Sequence, residues 1–309
     1  MKLKYKINFP LLLSLILFGG CSNSKKTTKD NVFIPEKVVP SGKSLLYQIY
    51  GNGLTQPSYL FGTIHIMNEN DFNIGSNIEK KLKTADELVM ELDLAEVDMQ
   101  QLAALSILPN DKTIKDYVSE KDFDTIKAFF EDSVGIPALT FEMSYSRMKP
   151  IFLEQLINFK YVGENPSSYE NTFSDIADNK NIPMSGLETM LEQLTLLEEI
   201  SLEDQIKHLV FTVKNYADES IIMDQLFGLY HQQDIDGLFN LITKQVEGDE
   251  EFESNLIVKR NYKWLPKIEE KMKSKKIFIA VGAGHLGGKD GLIKLLQNKG
   301  YIVEPISTE

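Results

Sequence analysis

Two segments near opposite ends of the chain share one arrangement. Residues 59–65, YLFGTIH, and residues 277–285, IFIAVGAGH, each run as an apolar stretch to a glycine and, three positions on, to a histidine. The first segment reads as a buried β-strand until its last letter. His65 and His285 lie 220 positions apart (285 − 65) and are two of only four histidines. In α/β sheets, ligand sites gather at the carboxyl ends of strands, where loops open and side chains converge. The pair therefore points to a fold in which both ends of the chain enter one sheet.

Other runs of strand type support that fold. Leu45–Tyr50, Ser58–His65, Glu87–Leu92, Ile182–Leu187, Ile277–Val281 and Tyr301–Ile306 are short, apolar and bounded by turn residues. Residues 95–175 and 189–272 show helical periodicity instead. Ser119-Glu-Lys-Asp122 and Ser201-Leu-Glu-Asp204 are helix-start signals, and Pro150, Pro183 and Pro266 mark starts, boundaries or kinks. The expected architecture is α/β: a central mixed β-sheet built from both ends of the chain, with a large helical middle over about 95–272. An independent helical bundle over 95–270 is the alternative.

The amino terminus, MKLKYKINFPLLLSLILFGGCSNS, has a basic start, an apolar run from Phe9 to Phe18 and two small residues before Cys21. The run falls short of the roughly 20 residues that span a bilayer. FGGC resembles a bacterial lipobox, so residues 1–20 are expected to be a lipoprotein signal peptide and Cys21 the lipidated residue. A cleaved secretory signal with an incidental cysteine is the other reading. Residues 22–43, rich in Lys, Ser, Thr and Pro, form the expected tether to a domain over 44–309. Cys21 is the one cysteine, so the domain has neither a disulfide nor a thiolate site. The formal charge of −12 becomes −15 when Lys2, Lys4 and Lys6 leave with the signal (12 + 3), which argues against nucleic acid as a partner.

Several strand ends carry groups that bind metals or move protons. YLFGTIH ends in His65, ELVMELD sets Glu91 and Asp93 on one face, IPMSGLE ends in Glu188, and IFIAVGAGH ends in His285. Two imidazoles and a carboxylate at one cleft suit a catalytic divalent ion such as Zn, Mn, Co or Fe. Such an ion polarises a carbonyl and lowers the pKa of bound water to about 7, with Glu91 or Glu188 free to act as base. A strand-end histidine is also commonly a hydrogen-bonded structural residue, and Glu188 equally suits the start of the helix that follows it. His208 and His231 lie in helical, partly polar surroundings and read as structure or surface. Glu192, Glu198 and Glu199 read as a solvated helix face. GAGHLG at 282–287 matches a dinucleotide-binding fingerprint, with Glu304 near the place of a ribose-binding acid. No βα unit follows to complete that fold, so no nucleotide is expected.

These residues resemble the TraB/PrgY/GumN group, to which the TIKI metalloproteases are related. The resemblance runs from about Leu45 to Ile306 and rests on YLFGTIH, ADELVMELD, GLETMLEQL, RNYKWLPKIE and VGAGHLGGKDGLIKLLQNKGYIVEPI. It implies a fold shared with ChaN-like and erythromycin-esterase-like proteins, with His65, His285 and Glu91 at the active centre. Glu188 and Arg260 match further positions that line the pocket. Glu170, in SSYENTFSDIA, stands where the family pattern leads us to expect Asp. The resemblance also implies metal-dependent peptidase activity, with Mn or Co favoured, or restraint of peptide-pheromone signalling. Arg260 itself suits either orientation of a carboxylate or peptide carbonyl, or a surface or interhelical ion pair.

The expectation is an extracytoplasmic hydrolase of the bacterial cell envelope, lipid-anchored to the membrane and acting on a peptide or small-molecule substrate. It would use a divalent metal (Mn, Co or Zn) held by His65, His285 and Glu91, with Glu188 and Arg260 beside it. The rivals are a lipoprotein that sequesters a peptide without cleaving it and an envelope-assembly scaffold.

Overall fold

The structure, a computed structural model, describes residues 43–93, 98–163, 165–245 and 257–309. Cys21 and the expected signal and tether through residue 42 lie outside the described residues. Among those described, no helix is long and apolar enough to cross a membrane.

All six expected strands form, and they make one sheet. In chain order the strands are β1 (Leu46–Tyr50), β2 (Ser58–Thr63), β3 (Met67–Asn68), β4 (Glu87–Met90), β5 (Pro166–Ser167), β6 (Met184–Gly186), β7 (Ile277–Gly282) and β8 (Ile302–Ile306). The six-stranded sheet runs β6-β4-β7-β2-β1-β8, while β3 and β5 pair separately as a small antiparallel ribbon. β6, β4, β7 and β2 are parallel, and β1 is antiparallel to both β2 and β8. The sheet is thus mixed and α/β, and β2 pairs with β7 from the far end of the chain.

Burial explains the positions. Every residue of β2, β4 and β7 is buried, as in strands covered on both faces, and this is why apolar residues run through them, with polar Ser58, Thr63 and Glu87 only at strand ends. β8 lies at the edge, where Pro305 costs no ladder bond on the open side. Phe173, from helix Tyr169–Lys180, packs between Phe61 of β2 and Phe278 of β7 at ring separations of 5.6 and 5.5 Å. Each such fully buried side chain contributes about 1.5–3 kcal/mol.

The helical middle is divided between cores. Phe173, Leu226, Tyr230 and Leu238 join the sheet core. Leu108, Phe123, Phe130, Phe141, Leu153, Ile157 and Leu209 form a second cluster away from it. Because β6 and helix Tyr169–Lys180 belong to the sheet, residues 95–270 are not one independent bundle. Ser119 and Ser201 cap their helices as expected, each accepting from the backbone N–H three residues on. Pro150 opens a helix, whereas Pro266 lies inside Lys259–Ser274.

Candidate functional site

The carboxyl ends of β2, β4, β6 and β7 meet, and the chemistry sits in the first residues beyond them. β2 ends at Thr63 and β4 at Met90, so both strands stop short of the expected His65 and Leu92. His65, Glu91 and Glu188 therefore lie on loops, and His285 closes a single 3-10 turn after β7. Strand alternation does not reach Asp93, so it gives no reason to set Asp93 on one face with Glu91. Backbone bonds continue past the strands instead: Leu187 N donates to Met90 O at 2.8 Å and Glu188 N to Glu91 O at 3.0 Å. That continuation fixes the two glutamates side by side.

Two glycines explain the sequence spacing. A Cβ on Gly62 would stand 3.1 Å from the backbone of Ala283, so Gly62 is where the two histidine loops approach each other. A Cβ on Gly282 would point into the centre itself. It would lie 3.3 Å from Glu91 Oε1, 3.6 Å from His65 Nε2 and 3.7 Å from His285 Cδ2. The other glycines of GAGHLG serve packing, Gly284 facing Ile242 and Gly287 facing Phe239, and Gly288 just beyond also faces Phe239. Glu304 accepts from the Tyr50 hydroxyl on the β1–β8 edge.

Arg260 binds the group together. It comes from the first turn of helix Lys259–Ser274 and is 2% exposed. Its Nη2 donates to Glu91 Oε2 at 2.5 Å and to Glu188 Oε1 at 2.6 Å, and its Nη1 donates to His285 Nε2 at 3.1 Å. Its Nε donates to Glu188 at 3.1 Å, and its guanidinium lies 4.6 Å over the ring of Trp264, one helical turn along. Trp264 Nε1 and Gln193 Nε2 also donate to Glu188, at 3.2 and 3.0 Å. Arg260 is thus a buried, many-bonded cation rather than a surface ion pair.

The two histidines are held differently. Arg260 can only donate, so His285 Nε2 is the acceptor and the ring proton is on Nδ1, where it meets Asn261 Oδ1 at 2.8 Å. Asn261 Nδ2 donates to the backbone oxygens of His285 and Asp290, which fixes the amide. His65 Nδ1 donates to Glu170 Oε1 at 2.9 Å, and Thr63 and Ser168 hydroxyls donate to the same carboxylate at 2.8 and 3.1 Å. His65 Nε2 is buried with no hydrogen-bond partner.

Protonation follows from these contacts. Burial would raise Glu91, but Arg260, both histidines and the Gly282 N–H draw it down to about 2. Glu188 shares the same guanidinium yet is raised, because burial and the Glu91 charge outweigh Arg260. One cation serves two carboxylates, and Glu91 is the one it holds more firmly ionised. Burial, Arg260 and His65 hold His285 at about 3, against the pull of Glu91, so it is neutral. Burial alone would lower His65, but the Glu170 charge and hydrogen bond, with Glu91, carry it above its ordinary 6.5.

The fit of a divalent ion can be judged from the donors. Both Glu91 oxygens are engaged, by Arg260 and by the Gly282 N–H at 2.8 Å, and the His285 lone pair receives Arg260. Among the described residues, no three His, Cys, Asp or Glu groups stand together as a ligand set. Hydrogen bonds to charged groups are worth about 1.5–3 kcal/mol each, so the guanidinium is not lightly moved aside. In this arrangement His65, His285 and Glu91 do not fit a metal. They form instead a polar centre able to take up or release a proton at His65 beside a fixed positive charge.

The structure thus brings His65, His285, Glu91, Glu188 and Arg260 together. Glu170, Asn261 and Trp264, which orient them, are not picked out as site residues by the sequence. The available signal was RNYKW, where Arg260, Asn261 and Trp264 share a helix face at offsets 0, 1 and 4. His208 lies elsewhere, buried against Glu154 between two helices of the second cluster. Beside Arg260 opens a cavity of ≈ 340 Å³ with an apolar floor, lined by Leu191, Glu192, Thr195, Leu196, Lys259 and Lys263.

The model of the TraB/PrgY/gumN family matches residues 45–305. No curated protein matches the chain, and no solved structure does.

Proposed function

As the chain belongs to the TraB/PrgY/gumN family, we propose that it is a hydrolase of peptide-like substrates in which His65 moves the proton. The observation that carries this reading is His65 Nε2, buried and unpartnered beside Glu91, His285 and Arg260. Glu170 holds Nδ1–H, which leaves Nε2 to take a proton from water and return it to the leaving amine. The positive charge of Arg260, in surroundings of low dielectric, favours the negative charge that develops on an attacked carbonyl. The cavity beside Arg260 suits an apolar side chain of the substrate. A peptide library incubated with the wild type and the His65→Ala and His285→Ala variants tests the reading. Cleavage by the wild type alone supports it. Equal cleavage by all three removes it, as does cleavage by none.

A methyl group gives a sharper test. Gly282 has φ −51° and ψ 135°, which any L-residue adopts, and its Cβ would meet side-chain atoms at 3.3–3.7 Å. Gly282→Ala is expected to melt within roughly 1 kcal/mol of the wild type. It should nevertheless abolish turnover, because the methyl fills the space in front of His65 Nε2. Unchanged peptide cleavage by a folded Gly282→Ala protein would place the chemistry elsewhere.

We also place the domain outside the cytoplasm, held to the membrane by lipid on Cys21 through the 22–43 tether. The support is the apolar run and FGGC. Cells fed a labelled fatty acid are expected to label the wild type and not Cys21→Ser, and the variant should leave the membrane fraction. Equal labelling of both would remove the anchor.

A further inference from the structure

We propose that Arg260 is the resident cation of this centre, standing between Glu91, Glu188 and His285 where a divalent ion would otherwise bind, so that the folded protein holds no stoichiometric metal there. The inference is independent of the hydrolase reading, since proton transfer at His65 requires no ion.

Geometry carries the argument. A metal bonded to an imidazole nitrogen sits at about 2.0–2.1 Å. Arg260 Nη1 lies 3.1 Å from His285 Nε2 on its acceptor side, so an ion there would overlap the guanidinium. The other ring nitrogen of His285 donates to Asn261 and offers no second lone pair. Glu91 presents one oxygen to Arg260 and the other to the Gly282 N–H. His65 Nε2 alone remains, and one imidazole does not hold a divalent ion against water. Arg260 has little freedom to withdraw: it is 2% exposed, lies over Trp264 and is bonded to Glu188 through two of its nitrogens. Arginine also keeps its proton even when buried, where a lysine readily loses its own, so the charge is permanent.

Removal of this cation should uncover the ligand set. Arg260→Met combined with Glu188→Gln deletes one charge of each sign and leaves His65, His285 and Glu91 in place. Protein purified without chelator is assayed for metal, then titrated with Co²⁺ and followed by visible absorption. The wild type is expected to contain no stoichiometric metal and to develop no cobalt band, whereas the double variant should gain one equivalent of Co²⁺ and its band. One equivalent of ion on the wild type that is lost in His65→Ala overturns the proposal. So does a folded double variant that binds no cobalt. Ion retained equally by the wild type and His65→Ala lies elsewhere and leaves the centre to Arg260. If the double variant does not fold, metal content of the wild type and of His65→Ala decides the matter.

Discussion

Arg260→Met should destabilise the fold by about 3–5 kcal/mol at pH 8, the usual consequence of removing one partner from a buried charge pair. The substitution leaves the apolar stem in place, so the loss is one of charge and hydrogen bonds rather than volume. Glu91 and Glu188 would then face each other, buried, without the guanidinium that serves both. In the wild type Glu91 is held at about 2, below its ordinary 4.5, and so contributes stability above pH 4.5 that is lost as pH falls toward 2. Without Arg260 the sign reverses: burial and mutual repulsion raise both carboxyls, and protonation relieves the variant as pH falls. The gap between the two melting temperatures should therefore be widest at pH 8, roughly 6–20 °C, and should narrow steadily toward pH 5. Glu188→Gln is the control, with a smaller loss, since it leaves Glu91 its pairing with Arg260 and removes only one of the two carboxylates that share the guanidinium. Melting curves at the two pH values suffice. A gap that is small at pH 8, or that fails to narrow, would mean that this cluster does not hold the strand ends together.

The residues that make the sheet were readable because of how they are buried. β2 and β7 are covered on both faces, so nothing polar interrupts them and their runs announce strands. The same signal overran at the site. Ile64 and Leu92 are also buried, so the apolar run passes through the end of the ladder into the loop that carries chemistry. β3 and β5 left no signal, since two residues apiece are too few for a period. The parallel pairing explains why His65 and His285 meet: Thr63 is in register with Gly282, and the two loops leave the sheet side by side.

Partnerships across the chain were beyond reach for a different reason. Glu170 lies 105 positions from His65, and no pattern of residue types states that its carboxylate accepts from Nδ1. Arg260 shows the same limit. Its identity allowed an orienting role or a surface pair, and only the packing of its helix against the loops after β4, β6 and β7 decides between them. Histidines and acids at strand ends suggest a metal by residue type alone. The contribution of the fold is the position of an arginine among them.

Loss of His65 should reduce peptide cleavage by at least about 100-fold, and up to about 10,000-fold, the span that a positioned proton-transfer group contributes. At a pH well above the one where His65 gives up its proton, His65→Ala should cost little in hydrogen bonding, because its Nε2 has no partner to lose and Glu170 keeps the Thr63 and Ser168 hydroxyls. The role of Glu170 is separable through pH. Burial, left alone, would depress His65, and the Glu170 charge and hydrogen bond bring it above 6.5. As a base His65 works when neutral, so wild-type cleavage should rise as pH passes upward through that raised value. In Glu170→Gln the carboxylate charge is gone, the imidazole titrates lower, and the rising limb should move to lower pH while the plateau rate falls. The same shift should appear without substrate in the proton resonance of His65 Cε1 followed by NMR, which separates a titration from an effect on turnover. Stability should respond in the matching sense. A folded value above the unfolded one stabilises the wild type below pH 6.5, and that contribution fades as pH rises through the folded value. Glu170→Gln should lack this acid-side gain. A limb that stays where it was, with an unmoved resonance, would break the link between Glu170 and His65 and leave the orphaned nitrogen without its proton-transfer role.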